Sequence, residues 1–478
     1  MAAGRWQAVR PDGGVQPALA MDSAALLSYA PAMPHDTAIS FDAWLAAHPD
    51  VTRVEAVLFD INAAPRGKWL TRAKALALAA KGMPMPRSLF ALDAWGRDVG
   101  AAGLAFGTGD PDGLCRPVTG RWGMAPWLDG NSATVMLAMT GDDGAPCPAD
   151  PRGVLQAVLA RYAALGLTPV VATELEFYLY RREDGLPVPP DGARYRNDTL
   201  STTALASHAA LFDAILGAAQ ARGIPADGLV SEAGPGQYEL NLEHRADALA
   251  AADDAVLLRH LVRRLAAAHG LGATFMAKPY GDCSGSGLHI HASLLDSTGR
   301  NVLADAEGGP SEMLHHAVAG LIATMPEAML AFAPNFNSYR RFRPDAHAPL
   351  SAGWGFDDRS AAVRVIRAGP AATRIEHRIS GADANPVIAM AAMLGGMLAG
   401  IEGRSTPPPP QDPGQPGAGV ALPVEWGAAL LAFGASPAMA DLFGARFRDI
   451  FTACKRQDRA TFLAQIDRFE YDTYLSLL

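Results

Sequence analysis

Four short stretches of this 478-residue chain alternate between apolar and polar residues, and their polar positions carry carboxylates, imidazoles or guanidiniums. In T-E-L-E-F-Y-L-Y, Glu174 and Glu176 share one face and Leu175, Phe177 and Leu179 the other, the period of two that a half-buried strand imposes. G-Q-Y-E-L-N-L-E sets Glu239, Asn241 and Glu243 opposite Tyr238, Leu240 and Leu242. G-L-H-I-H-A-S-L sets His289, His291 and Ser293 opposite Ile290, Ala292 and Leu294, and R-I-E-H-R-I sets Arg374, Glu376 and Arg378 opposite Ile375, His377 and Ile379. Elsewhere the pattern is ordinary. Val51 to Asp60 and A-T-V-M-L-A-M read as strands, Ser40 opens a short helix, and D-P-R at Asp150 starts a helix with proline in its first turn. Leu258, Leu261, Val262 and Leu265 predict a helix over Ala255 to His269 that stops at Gly270.

These elements divide the chain. Residues 1–38, rich in Ala, Gly and Pro without periodicity, read as a poorly ordered leader. A small mixed domain is expected over 39–149 and a larger one over 150–478, in which strands alternate with helices. The proline-rich stretch Ser405 to Pro423 reads as an exposed loop or linker before a last helical segment. Forty basic against forty-nine acidic residues give a net charge of −9, which argues against a nucleic-acid or membrane-surface protein. Cys115, Cys147, Cys283 and Cys454 lie far apart with no C-x-x-C pair, so neither a zinc knuckle nor a disulfide framework is indicated and a reducing cytoplasm is expected. No run is read as the roughly 20 apolar residues of a membrane span.

If the four patterned strands are neighbours in one sheet, their polar faces converge on a single cavity. Glutamates held that close repel and raise one another's pKa unless a divalent cation neutralises them. An oxygen-rich donor set with imidazole suits Mg2+ or Mn2+ better than zinc. Arginines on the same face point to an anionic ligand, because guanidinium binds carboxylate and phosphate oxygens in a planar fork. Any one such strand alone is better read as a solvated face, so the argument depends on their adjacency.

At these same residues the sequence resembles the glutamine synthetase family, from about Phe41 to Leu478. The matching stretches are D-I-N-A-A-P-R-G-K, D-P-R, E-L-E-F, E-A-G-P-G-Q-Y-E-L-N, A-T-F-M-A-K-P, G-S-G-L-H-I-H-A-S-L, N-S-Y-R-R-F and R-I-E-H-R, in that order. The resemblance implies an α+β fold: a small N-terminal β-grasp domain and a large catalytic domain whose curved antiparallel sheet forms a funnel. It implies a homo-oligomer of stacked rings with sites between subunits, to which Asp93 or a nearby residue contributes. It implies ATP and two or more Mg2+ or Mn2+ ions per site, one held by Glu176, Glu232 and Glu239 and another by Glu174, His289 and Glu376. The glutamate pocket is implied at Gly285, Arg341 and Arg378, phosphate-facing arginines at Arg359, Arg364 and Arg374, and nucleotide contacts at Ser293 and His291.

The flap after N-S-Y-R-R departs from that family. Glutamine synthetases proper have a glutamate three residues after the proline, where R-F-R-P-D-A-H-A-P has His347. An imidazole suits ammonium less well than a carboxylate does, and His347 reads either as a base or as a plain loop residue. Arg359, Arg341 and His347 are the implied catalytic residues. The departure resembles the γ-glutamylpolyamine synthetase branch, so a γ-glutamyl amide of a polyamine or monoamine is the expected product. Ammonia as the acceptor, and a catalytically inactive structural or regulatory family member, are the alternatives. Asp358, where the family usually has asparagine, and Trp354, a candidate pocket wall, stay open at this point.

Overall fold

The computed structural model describes residues 39–128, 130–192, 196–344, 346, 348–412 and 419–478. The predicted leader and His347 lie outside the described residues.

Two large sheets, with a separate two-stranded pair, organise the described residues. The smaller runs, in spatial order, Pro65–Thr71, Arg53–Phe59, Ser132–Thr140, Asp112–Met124 and Met83–Pro86. Its central pair, Arg53–Phe59 with Ser132–Thr140, is parallel and its other pairings are antiparallel. Parallel neighbours need a crossover, and the connecting chain includes the helix Arg72–Lys81.

The larger sheet joins strands that are distant in sequence. Its order is Trp354–Phe356, Val363–Ile366, Arg374–His377, Leu288–Leu295, Thr168–Glu183, Gln237–Arg245 and Ala226–Ser231. The four patterned stretches are therefore consecutive neighbours. All pairings along this order are antiparallel, as expected, except the edge pair Trp354–Phe356 with Val363–Ile366, which is parallel. Leu175, Phe177, Leu240, Ile290, Ala292 and Ile375 form the buried apolar face. Against it lie the helices Pro151–Ala164, Ala248–Ala268 and Pro386–Gly403. With the apolar face covered by helices, the alternating polar residues are left together on the opposite face.

Three sequence expectations change in detail. The helix expected from Ala255 begins at Ala248, where the Asp247 side chain caps Ala250 N. Its first two turns are alanines, a single leucine, Leu249, and two buried aspartates, which offer too little Leu and Val spacing to mark a helix. Pro386–Gly403 is long and apolar enough to cross a membrane, contrary to the sequence reading, but most of it is buried within this chain. It is apolar on every side because it is a core helix packed on all sides. It crosses Glu312–Phe332 so closely that a Cβ on Gly400 would lie 2.0 Å from the His316 carbonyl oxygen. The proline-rich stretch is an anchored strap where it is described: Gln411 is buried and its backbone N–H donates to the Trp354 carbonyl. Trp354 Nε1 donates in turn to the Pro408 carbonyl at 2.8 Å.

Candidate active site

Strand register brings the charged residues together. Glu174 is paired with His289 and with Asn241 on its two sides, Glu176 with Glu239, and Glu376 with His291 and Arg364. Opposed residues on one face of a sheet have neighbouring side chains. One carboxylate consequently bridges two imidazoles: Glu174 lies 3.0 Å from His289 Nδ1 and 3.0 Å from His291 Nε2. His289 Nδ1 is also 3.9 Å from Glu376.

Among the described residues, two groups have ligand atoms all within 4.8 Å of one another, namely Glu174, Glu239 and His289, and Glu174, His291 and Glu376. The grouping differs from the implied one. Glu174 and Glu376 come together as expected, yet His291, expected at the nucleotide, stands with them, and Glu239 stands with Glu174 and His289. Extended strands alternate, so both imidazoles of H-x-H project to the same side.

The electrostatics show why this wall calls for a cation. Burial, reinforced by Glu174, Glu176 and Glu232, pushes the Glu239 carboxyl up to about 9. Burial and then Glu176 push Glu232 up to about 7. Burial also works against an ionised Glu174, but hydrogen bonds with His289 and His291 outweigh it and hold that carboxyl well below the usual range. Burial opposes ionisation of Glu376 too, and Arg378 is the main counterweight that keeps its pKa low. A surplus of buried carboxylate beside imidazole is the donor set of a hard divalent ion, and the residues present fit one.

The arginines form the adjoining side. Glu376 accepts from Arg364 Nη1 at 3.0 Å and from Arg378 Nη1. Arg378 Nε donates to the Arg359 carbonyl, while Arg359 itself is exposed. Arg374 Nε stands 3.4 Å from His291 Nδ1. Ser293 uses its hydroxyl on the Thr373 carbonyl at 3.0 Å. Arg341 is buried and donates to the Ile379 carbonyl at 3.0 Å, with burial lowering its pKa.

The loop from Gly285 to Gly287 packs onto Arg341. A Cβ on Gly285 would lie 2.7 Å from Arg341 Cγ, and one on Gly287 3.0 Å from His289 Nε2 and 3.3 Å from Glu176 Oε1. Only glycine lets the backbone approach these groups so closely.

Some singled-out residues stand apart from this cluster. Asp93 is buried within its own loop, accepting from Trp95 N, Arg97 N, Arg97 Nε and Gln457 Nε2. Asp358 accepts from Ser360 N, Ser360 Oγ and Gln411 Nε2, and Trp354 is a buried packing residue beside Phe356 and His315. Two residues that the sequence reading missed belong to the cluster: Gln237, two before Glu239, and Tyr178, two after Glu176. The same alternation extends to both, one step beyond the charged residues that drew attention to each strand.

Comparison with known proteins identifies the family. Residues 148–474 match the family model described as glutamine synthetase, catalytic domain. The chain is 38% identical over 444 residues to γ-glutamylputrescine synthetase PuuA of Escherichia coli K12, covering 90% of this chain and 93% of that protein. It is 35% identical over 374 residues to glutamate–isopropylamine ligase of a Pseudomonas species, covering 76% of this chain and 80% of that one. Among solved structures it is similar to ligand-free GmaS, with a TM-score of 0.80 and 25% identity over 91% of this chain and 99% of that one. Strand order, the convergent carboxylate–imidazole wall and a match over most of the chain lead to one conclusion: this chain belongs to the glutamine synthetase family.

Proposed function

We propose that this chain is an ATP-dependent ligase that joins the γ-carboxylate of glutamate to an organic amine, a polyamine or monoamine, through γ-glutamyl phosphate. The observation that carries the reading is the meeting of two carboxylate–imidazole groups with Arg364, Arg374 and Arg378 on one face of one sheet. The names of the relatives, which are glutamate–amine ligases, support the acceptor class.

On this reading Glu176, Glu232 and Glu239 hold one Mg2+ or Mn2+, and Glu174, His289 and Glu376 hold another, with His291 close enough to join it. Bound metal supplies positive charge that offsets the oxyanions of ATP during phosphoryl transfer. A carboxylate is a poor electrophile, so the γ-carboxylate first attacks the terminal phosphorus of ATP; the β,γ-bridging P–O bond breaks and ADP leaves. Arg359, Arg364 and Arg374 face the transferred phosphoryl oxygens, with Ser293 and His291 toward the nucleotide. Arg341, Arg378 and the Gly285 backbone hold glutamate. The amine, freed of its extra proton, then attacks the acyl carbon, and the C–O bond to phosphate breaks. His347, on the flap, takes part as base or as a determinant of which amine fits.

The same reading makes residues 39–149 a β-grasp domain and 150–478 the catalytic domain of a cytoplasmic enzyme that assembles as stacked rings. The test is turnover with ATP, glutamate and Mg2+ or Mn2+, comparing phosphate release and product mass with putrescine, spermidine, ethanolamine, simple monoamines and ammonia. Selective turnover of an organic amine is expected. Selective turnover of ammonia would make ammonia the acceptor instead, and no turnover with any of them would favour an inactive regulatory member.

A pH dependence accompanies metal binding. Glu232 and Glu239 have raised pKa values, so the metal-free protein holds protons that metal must expel. Apparent Mn2+ affinity should rise as pH increases from about 6 to about 9, with proton release measurable by calorimetry in buffers of different ionisation heat. A flat affinity over that range would show that these two carboxyls bind no metal.

A further inference from the structure

The side chain of Gln237 is buried and sits where three segments of the site meet. Its Nε2 donates to Glu176 Oε2 at 3.1 Å and to the Gly285 carbonyl at 3.0 Å. Its Oε1 accepts from Gly234 N at 3.0 Å and lies 3.1 Å from the Tyr178 hydroxyl, whose single proton is shared between it and the Ser284 carbonyl at 2.8 Å. The backbone of Gln237 adds a further tie, since its carbonyl accepts from Glu232 N at 2.9 Å.

The amide is fixed in one orientation by these partners. Turned over, it would set its oxygen against a carboxylate and a carbonyl, and its NH2 against a backbone N–H. Both of its ends are used, in a place without room to spare: a Cβ on Gly234 would meet the Tyr178 hydroxyl at 2.0 Å. A carboxylate of the same length lacks the donors, and an alkyl chain of the same length lacks every bond.

We propose that Gln237 is a positioning residue that couples the first metal subsite to the glutamate pocket, by holding the Glu176 carboxylate and the Gly285 loop in a fixed relation. The proposal rests on the assignment of Glu176 to metal and of Gly285 to glutamate. Glu176 Oε2 accepts from Gln237 and also from Gly287 N at 3.0 Å, so one oxygen is locked while Oε1 stays free of both contacts. The loop that orients Glu176 is thus the loop that lies on Arg341, and Gln237 bridges the two. Groups that orient a ligating carboxylate commonly control metal affinity by about 10- to 100-fold.

Gln237→Met keeps length and volume and removes the hydrogen bonds; Gln237→Asn keeps the amide but shortens its reach. Both would be compared with Glu176→Gln and the native protein. Mn2+ binding to metal-free protein would be read by electron paramagnetic resonance, KM for glutamate, ATP and putrescine by phosphate release, and folding by circular dichroism. The expected result for Gln237→Met is Mn2+ affinity lower by about 10-fold or more at one class of sites and a similar rise in glutamate KM, with the KM of putrescine within about twofold. Gln237→Asn should lose as much, because the amide no longer reaches both partners, and it carries the test if the methionine variant does not fold. A folded variant with native Mn2+ affinity and native glutamate KM overturns the proposal, as does an equal rise in all three KM values. If Glu176→Gln itself binds Mn2+ like the native protein, the metal assignment fails and the coupling falls with it. Loss of Mn2+ in Glu176→Gln with none in Gln237→Met rejects the coupling alone.

Discussion

Glu239→Gln should lower glutamyl transfer by about 1000-fold in kcat/KM, on the order of 4 kcal/mol of transition-state stabilisation, while leaving the metal-free protein at least as stable as the native one. The two halves of this result have one cause. Glu239 is crowded by Glu174, Glu176 and Glu232 in a half-enclosed wall, and burial together with that crowding lifts its carboxyl to about 9. A neutral amide of the same shape relieves repulsion in the absence of metal and removes a charged ligand in its presence. The measurements are turnover with saturating Mn2+ and unfolding midpoints with chelator and with Mn2+. Native protein should gain a higher midpoint from Mn2+ by mass action, and the variant should gain much less. Native turnover would remove Glu239 from the metal site. Lost activity together with a lower midpoint in chelator would mean that the carboxylate serves folding.

This site was legible from sequence because it is written in strand alternation. Glu174, Glu176, Glu239, His289, His291 and Glu376 each stand two residues from another polar residue on the same face, and a period of two survives whatever the strand order is. The order itself was not legible. Thr168–Glu183 pairs with Leu288–Leu295 and Gln237–Arg245, more than a hundred and about sixty residues downstream, and no local pattern encodes that adjacency. Only the family resemblance supplied it.

Failures of local reading have physical reasons as well. Gln237 and Tyr178 lie on the same strand faces just beyond the charged residues, and no local pattern showed that their hydrogen bonds support those charges. The helix Ala248–Ala268 begins with alanines and carries two buried aspartates, so its first turns resemble a polar surface.

Those two buried aspartates carry the second large expectation: Arg121→Ala should cost about 3 kcal/mol of stability, the scale for breaking a buried ion pair from one side. Arg121 is on strand Asp112–Met124 of the smaller sheet, and Asp253 and Asp254 are on the helix that backs the larger one. Arg121 lies 3.0 Å from Asp254 and 3.8 Å from Asp253, and it donates to the Ala250 carbonyl at 3.0 Å. Arg152 holds Asp253 at 2.8 and 3.0 Å, and Arg245 Nε lies 2.6 Å from Asp254. Both aspartates and Arg121 are almost wholly buried, so solvent cannot replace the lost guanidinium.

Burial lifts the Asp254 carboxyl to about 7 even though Arg121 and Arg245 pull it down. A carboxyl with a raised folded pKa contributes stability at low pH that is lost as pH rises through that pKa. Removing Arg121 takes away the strongest downward pull and extends that loss, so the deficit of Arg121→Ala should be larger at about pH 8.5 than at about pH 6. Pairing Arg121→Met with Asp254→Asn removes both charges and should recover much of the deficit, since Asp253 keeps Arg152 and the Arg245 left without Asp254 is part-exposed and still donates to the Gly223 carbonyl. Denaturant midpoints of the two single variants and the double variant at both pH values check this. Equal losses at both pH values, or a double variant as unstable as the sum of the singles, would mean that Arg121 acts through packing of its side chain alone.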